Sequence, residues 1–395
     1  MKILLTISCN LDPNSGAAGT TLRLGQEYAR LGHEVSFFTY NKLPKTLPDA
    51  IKMVTFPELA SLHVFNLCYR GKVDVIDSPC GEGWLWSKVL NSFRRIHPLL
   101  VTRSHGLENT LHSFNLDEAK KGNLKLSPKY FLYRGSWRLW EEATALRNAD
   151  LVFLLNRQDA KYATDCLRVE PEKIHVVPNG IPDTFINLPE ATLFKSESKS
   201  IRIAQIGSYI QRKGIQYTIP ALKAILNRFS YVEVSFLGTG CPEAVIYKDF
   251  ELHLHPRIKV VPQYTLESLP HLLQGHQIKL FAPLNEGFGK VLVESMACGL
   301  APIVSAAAGP LEVVHNGYDA VVVPIGNTIA IEHALEKLIT DRTYLEKTRR
   351  NAYVTAQNYS WINVANQRLF LYQEMLDRLA DQRSTKKIKN TVFIR

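Results

Sequence analysis

The 395-residue sequence is poor in cysteine and has no long uncharged segment of the kind that crosses a membrane. Its six cysteines show no Cys-x-x-Cys spacing, which argues against a disulfide framework and against a zinc site. The longest uncharged run, residues 295–311, is broken by two glycines and two prolines, so it does not predict a transmembrane helix. The apolar run at residues 3–7 is too short for a signal peptide. These absences predict a protein of the reducing cytoplasm.

Acidic residues are in the minority, with 37 Asp and Glu against 47 Lys and Arg and a formal net charge of +10. Such a surplus suits a nucleoside diphosphate, an anionic membrane surface or nucleic acid, or it reflects solubility alone. No nucleic-acid-binding motif accompanies the charge, so no nucleic-acid partner is expected. The length and a hydrophobic content of 46% fit a soluble protein of two α/β domains.

The most informative segment is the glycine-containing turn that follows the apolar run at residues 278–282. Gly287 and Gly289 leave the backbone free to approach a ligand closely. From Lys290 the apolar spacing becomes helical and ends at Gly299. The pattern predicts a strand, a glycine turn and a helix, whose N-terminus can hold a phosphate group.

Two carboxylates flank this predicted phosphate site. Glu286 precedes the glycines, and Glu294 is expected about two turns into the helix. A carboxylate repels a phosphate but accepts hydrogen bonds from hydroxyl groups, so the pair suits a sugar. The alternative is a helix that carries two unrelated surface glutamates.

Glu286 and Glu294 have the spacing of the Glu-x7-Glu signature, and this segment resembles the GT4 family of retaining glycosyltransferases. The flanking Glu-Gly-Phe-Gly and Met-Ala-Cys-Gly sequences match that family as well. The resemblance implies that Glu294 binds the ribose and that Glu286 is catalytic and holds the donor sugar. Gly287, Phe288 and Gly289 are then expected to bind the donor. No covalent nucleophile is implied, and the family favours front-face attack.

The chain opens with a βαβ pattern: a strand at residues 2–8, a loop at 12–19, a helix from about Thr20 and a strand at 35–40. The loop lacks the Gly-x-Gly-x-x-Gly dinucleotide fingerprint. It resembles the glycine loop of GT-B glycosyltransferases, and Gly16 is therefore a candidate donor-binding residue. A tight strand-to-helix turn explains the loop equally well.

His105 follows the predicted strand at residues 99–104, at the carboxyl edge where open α/β sheets bind ligands. A lone histidine is often a structural polar residue. Many GT4 sequences are similar in having a His-Gly pair here, which implies that His105 lies near the reacting sugar and is catalytic.

A second alternating series starts at residue 201, where a strand leads to Gly207, which is a candidate donor-binding residue. Lys213 is expected to open a helix and, with Arg212, to bind the donor phosphates, because each supplies a positive charge. The alternative is an exposed basic pair. Where the GT4 family has an arginine after the first glycine, this chain has Ser208. Either Arg212 compensates, or phosphate binding or activity is reduced.

The resemblance implies an α/β protein of GT-B architecture, with two Rossmann-like parallel-sheet domains facing a cleft. We expect an acceptor-side domain at residues 1–188, completed by a returning helix at 359–382. The nucleotide-sugar-binding domain is expected at 201–358, after a polar linker at 189–200, with a basic tail at 383–395. No Asp-x-Asp motif is present, so no essential metal or other cofactor is expected.

Two segments, residues 84–95 and 129–147, mix aromatic with basic residues. They form either core helices with a solvated face or an amphipathic surface that touches lipid headgroups. The predicted function is sugar transfer from a nucleotide-sugar donor to an acceptor glycan or glycolipid, as in polysaccharide biosynthesis. It would occur in the cytoplasm, or peripherally at the inner face of the membrane. The alternatives are a phosphorylase or epimerase, a catalytically silent nucleotide-sugar-binding subunit and a basic adaptor.

Overall fold

The computed structural model describes the backbone of residues 1–92, 98–194 and 200–392, and their side chains except at 91–92, 191–192 and 382–392. The chain forms two compact units. The first contains Met1–Pro178 together with the chain from Trp361 onward, and the second contains Asn179–Ser360. The division therefore falls earlier than the predicted domain end at residue 188. Residues 195–199 of the predicted linker lie outside the described residues.

The first unit contains a six-stranded parallel sheet in the order β2-β1-β3-β4-β5-β6. Its central strands are buried along their whole length, because helices cover both faces of a parallel sheet. The strands are β1 (Lys2–Thr6), β2 (Glu34–Phe38), β3 (Val75–Pro79), β4 (Leu99–Arg103), β5 (Leu151–Leu154) and β6 (Ile174–Val176).

The helices of the first unit differ in part from the prediction. They are α1 (Gly16–Arg30), α2 (Asp49–Tyr69), α3 (Trp84–Ser92), α4 (Glu108–Lys120), α5 (Pro128–Leu132), α6 (Trp137–Asn148), α7 (Arg157–Asp165) and α16 (Trp361–Val392). The first helix begins at Gly16, within the predicted loop and not at Thr20. The segment 129–147 is not one helix, because the chain turns between α5 and α6. Residues 93–95 of the other aromatic segment lie outside the described residues.

The final helix, α16, completes the core of the first unit. It contributes Trp361, Leu369 and Tyr372 to the apolar cluster formed by α1 and the sheet. The Tyr372 hydroxyl donates to a carboxylate oxygen of the buried Asp77 at 2.6 Å, and Arg103 forms an ion pair with the same carboxylate. The helix is described as far as Val392, into the segment predicted as a basic tail.

The second unit contains another six-stranded parallel sheet, in the order β12-β11-β10-β7-β8-β9. Its strands are β7 (Ile201–Ile206), β8 (Val232–Leu237), β9 (Ile258–Val261), β10 (Ile278–Phe281), β11 (Ala301–Ser305) and β12 (Val321–Val323). Its helices are α8 (Glu190–Leu193), α9 (Ile215–Arg228), α10 (Glu243–Tyr247), α11 (Leu269–Leu272), α12 (Lys290–Ala297), α13 (Ala308–Leu311), α14 (Thr328–Thr340) and α15 (Arg342–Ala356).

Lys213 does not open a helix, as the sequence predicted. It ends a short 3-10 turn, Gln211–Lys213, and α9 begins at Ile215. The reason is Gly214, whose φ of +79° is in the left-handed region and interrupts any continuous helix. Across the described part of the chain, no helix combines the length and the apolar character needed to span a bilayer.

Candidate functional site

The turn after β10 packs closely against α13, the short helix that follows β11. Gly289 has a φ of +88° and directly precedes α12, so a residue with a side chain would be strained there. A Cβ on Gly309 would lie 2.4 Å from the Phe288 backbone nitrogen. The Gly309 N–H donates to the Glu286 carbonyl oxygen at 2.9 Å. Backbone contacts therefore define the position of Glu286.

Two candidate residues from separate motifs meet in an ion pair in the second unit. The Lys213 Nζ lies 2.5 Å from the Glu286 Oε2, and only 20% and 16% of these side chains are exposed. The same Nζ is 5.6 Å from the centroid of the Phe281 ring. The sequence predicted both charged residues for the donor, but it did not predict that they would pair.

The pair forms because the chain around residues 211–214 is attached to the end of β10. The Leu284 N–H donates to the Arg212 carbonyl oxygen at 2.9 Å. Gly214 makes the approach possible, since a Cβ there would lie 2.1 Å from the Ala282 carbonyl oxygen. The lysine is thus held beside the glycine turn by main-chain geometry.

Arg212 is half-buried and its Nη1 donates to the Asn285 carbonyl oxygen at 3.3 Å. Ser208 is exposed, and it follows Gly207, whose φ is +117°. A Cβ on Gly207 would have no neighbour within 4 Å, so the backbone conformation and not close packing requires this glycine. The structure therefore places Arg212 against the same turn as Glu286.

Glu294 is 3% exposed and lies on α12. The helix α12 begins at Lys290, as predicted, but Glu294 is its fifth residue and therefore lies about one turn into the helix and not two. No described residue forms a hydrogen bond with its carboxylate. Burial raises the pKa of Glu294, while the charges of Lys290 and Lys279 oppose that shift. A buried carboxylate that accepts nothing from the protein is suited to accept hydrogen bonds from a ligand.

Phe288 is buried, and its ring centroid lies 6.0 Å from that of Tyr359. Its side chain therefore packs inside the second unit and holds the turn in place. Gly287 is half-buried between Glu286 and Phe288.

Sequence reasoning missed Lys279, which lies at the centre of β10 and is completely buried. The segment 278–282 was interpreted simply as an apolar strand. A lysine among Ile278, Leu280 and Phe281 was the available signal, because a buried ammonium group is rare unless it has a partner.

Gly16 and His105 belong to the first unit. Gly16 is the first residue of α1, and a Cβ there would have open space. Packing instead requires Gly19, where a Cβ would lie 2.7 Å from the Pro13 carbonyl oxygen. The close backbone contact with this loop is thus made by Gly19, three residues after the predicted Gly16.

His105 is half-buried in the turn between β4 and α4. The next residue, Gly106, has a φ of +123°, and its N–H donates to the Ser104 Oγ at 2.8 Å. Glu142 of α6 accepts hydrogen bonds from the first two N–H groups of α4, at 3.1 and 3.0 Å. Burial raises the pKa of Glu142 to about 7. The turn that carries His105 is therefore well fixed at both ends.

Among the described residues, no group of three or more His, Cys, Asp or Glu is arranged to hold a metal ion. Metal-independent transfer remains a prediction, in which Lys213 and Arg212 supply the positive charge for the donor phosphates.

Two parallel-sheet units, the second with a glycine turn flanked by two glutamates, define a glycosyltransferase of the GT-B fold. A family model described as "Glycosyl transferases group 1" matches residues 191–355, and one described as "Glycosyltransferase Family 4" matches residues 14–185. The chain belongs to the GT4 family of glycosyltransferases.

Relatives with defined activities support the assignment. The chain is 23% identical to N-acetyl-alpha-D-glucosaminyl L-malate synthase of Bacillus anthracis, over 89% of this chain and 93% of that one. It is 22% identical to UDP-Gal:alpha-D-GlcNAc-diphosphoundecaprenol alpha-1,3-galactosyltransferase of Escherichia coli, over 75% of each chain. The fold is similar to that of sucrose-phosphate synthase from Thermosynechococcus elongatus, with a TM-score of 0.75 and 18% identity, covering 96% of this chain and 100% of that one.

Proposed function

We propose that the protein is a retaining glycosyltransferase that moves a sugar from a nucleoside-diphosphate sugar to an acceptor hydroxyl. The observation that carries the proposal is the Lys213–Glu286 ion pair at the turn into α12, one helical turn before the unpaired carboxylate of Glu294. One cation and two carboxylates match a ligand that has phosphates, sugar hydroxyls and ribose hydroxyls.

Each side chain then has a separate task. Lys213 and the N-terminal N–H groups of α12 stabilise the negative charge of the leaving nucleoside diphosphate. Glu286 exchanges its lysine partner for hydroxyl groups of the donor sugar, and Glu294 accepts hydrogen bonds from the ribose. The bond from the anomeric carbon to the phosphate oxygen breaks, and the acceptor oxygen bonds to that carbon on the same face. A phosphate oxygen takes the acceptor proton, so no enzyme nucleophile is needed.

The first test is a thermal-shift screen with UDP, GDP and ADP, followed by NMR of the product formed with the matching donor sugars. A nucleotide at about 100 times its Kd should stabilise the fold by about 2.7 kcal/mol. The product should keep the anomeric configuration of the donor. An inverted product would contradict the retaining mechanism, and no shift with any nucleotide would contradict the nucleotide site.

The exposed Ser208, in the place of the family's arginine, favours a second candidate, a catalytically silent nucleotide-sugar-binding subunit. This candidate predicts a nucleotide-dependent thermal shift without release of free nucleotide from any donor. Release of nucleotide in the absence of acceptor would remove it, because hydrolysis requires an intact catalytic site.

The acceptor is proposed to be linked to a lipid. Three tryptophans of the first unit form a cluster, the tryptophan surface, with ring centroids 4.9 Å apart for Trp84 and Trp140 and 4.8 Å apart for Trp137 and Trp140. Trp137 and Trp140 are 47% and 38% exposed, and Leu132 is 78% exposed. Lys88 lies over the Trp140 ring. Aromatic rings beside basic side chains suit a membrane interface, and the E. coli relative is named for a diphosphoundecaprenol acceptor.

We expect the protein to co-sediment with anionic liposomes at low salt and to be released at high salt. Each basic residue near an anionic surface contributes about 1 kcal/mol, and salt screens this attraction. The double variant Trp137→Ala, Trp140→Ala should lose most of the binding. Phe370→Ala, which removes a 69% exposed aromatic ring from α16, is the matched control. Equal binding by both variants would contradict the tryptophan surface as the membrane contact.

A further inference from the structure

Lys279 is a charged residue on a fully buried strand, where an apolar side chain is expected. It lies on β10 opposite Ala204 of β7 and Pro302 of β11, and it is 0% exposed. No described residue forms a hydrogen bond with its Nζ. Burying an ammonium group is costly unless an opposite charge compensates for it. A lysine in this position therefore needs an electrostatic partner.

The nearby charges identify that partner. The Lys279 Nζ is 5.4 Å from the centroid of the Phe281 ring, and the Lys213 Nζ is 5.6 Å from the same centroid. Lys213 is already neutralised by Glu286. Glu294 lies on the helix α12, which packs on β10, and its negative charge acts on Lys279. Burial and the charge of Lys213 lower the pKa of Lys279, and Glu294 opposes that shift.

The other titratable groups around Glu294 differ in their effect on its carboxylate. Burial and the charge of Glu294 raise the pKa of Tyr264 and of Cys298, so both are neutral near pH 7. Arg349, from the neighbouring α15, donates to the Gly299 carbonyl oxygen at 2.7 Å and pairs with Glu346. On α12 itself, the half-buried Lys290 favours the carboxylate more strongly than Lys279 does, so Lys279 is the buried one of two cations that act on Glu294.

We propose that Lys279 is a positioning residue of the nucleotide site, a buried cation that keeps Glu294 in its carboxylate form. The two groups are not in direct contact, since no ion pair within 4.0 Å joins them. The Glu294 oxygens therefore stay available to accept hydrogen bonds from ribose hydroxyls. This inference rests on the proposed role of Glu294 in nucleotide binding.

The test replaces the charge and keeps the shape: Lys279→Met has an unbranched side chain of similar length. Affinity for the tightest-binding of UDP, GDP and ADP is measured by calorimetry from about pH 5 to about pH 9. Without the cation, the pKa of Glu294 rises, and the protonated form cannot accept from both hydroxyls. Affinity at acidic pH should then fall about tenfold for each pH unit below the new pKa.

In Lys279→Met, we expect the loss of nucleotide affinity at acidic pH to begin at a pH about one unit or more higher than in the unchanged protein. The affinity at the alkaline end should be nearly unchanged. Titration of the nucleotide's own phosphate is the same for every variant and drops out of the comparison. Glu294→Gln should show no such loss at acidic pH, and adding Lys279→Met to it should change nothing. Lys259→Met, which removes an exposed lysine from β9, is the matched control and should leave the profile unchanged.

Lys279→Met should also unfold at a lower temperature, because it leaves the buried carboxylate of Glu294 without one of its compensating charges. If this variant does not fold, Lys279→Gln provides the same comparison with a polar neutral side chain. An acidic loss that still begins at the wild-type pH, with affinity reduced equally at all pH values, would overturn the inference and assign Lys279 a packing role. Failure of the unchanged protein to bind any of the three nucleotides would instead refute the proposed function.

Discussion

Glu286→Ala should reduce sugar transfer by about 100–1000-fold, the usual loss when an electrostatic group of a catalytic site is removed. Affinity for the free nucleoside diphosphate should stay close to that of the unchanged protein, or increase. The reason is the ion pair with Lys213 at 2.5 Å: without the glutamate, the ammonium group is free to meet a phosphate. Initial rates with saturating donor and calorimetry with the matching nucleoside diphosphate measure the two effects separately.

Glu294→Ala is the informative comparison for Glu286→Ala. It should weaken binding of the nucleoside diphosphate by about 1.5–3 kcal/mol, because a charged acceptor is lost from a buried site. Replacing glutamate by alanine is therefore expected to weaken nucleotide binding at position 294 and to slow sugar transfer at position 286. Equal losses of nucleotide affinity in the two variants would contradict this division of roles.

Lys213→Ala should reduce donor affinity by about 1.5–3 kcal/mol, which corresponds to roughly 10- to 150-fold. The side chain supplies a charge to the phosphates, and its loss also leaves Glu286 without a counter-charge near them. Lys223→Ala is a matched control, because it breaks the surface ion pair of Lys223 with Glu251 in the same unit, at 3.1 Å. That variant should bind donor normally.

Substitution of Arg212 tests whether its guanidinium compensates for the family arginine that Ser208 replaces. If it does, Arg212→Ala should cost about as much affinity as Lys213→Ala, and adding Ser208→Arg should restore part of the loss. Unchanged affinity in Arg212→Ala would assign the guanidinium to its hydrogen bond with the Asn285 carbonyl oxygen instead.

The strand–turn–helix pattern around Glu286 was predictable because apolar spacing and glycine position are local properties of the sequence. The same holds for the alternation of strands and helices in both halves of the chain. Helix limits were less accurate where a single glycine decides them. Gly214 has a positive φ angle and delays the start of α9 to Ile215, whereas the start of α12 at Lys290, after Gly289, agrees with the prediction.

Contacts between distant segments could not be predicted from spacing. The Lys213–Glu286 pair depends on a main-chain hydrogen bond between residues 284 and 212, which no local pattern encodes. The buried position of Lys279 depends on the order β11-β10-β7, which places its strand in the middle of the sheet. A lysine in an apolar run has a different meaning at an edge strand, where its ammonium group reaches water.

The final helix has a consequence for how the protein is made. The core of the first unit includes Trp361, Leu369 and Tyr372, which are synthesised only after the whole of the second unit. Asp77 also receives its hydrogen bond from Tyr372 only then. Domains usually fold as they emerge from the ribosome, with the N-terminal one first. In this chain the second unit, Asn179–Ser360, is one contiguous segment. It can therefore reach its native structure before the first unit, whose core requires α16, is complete.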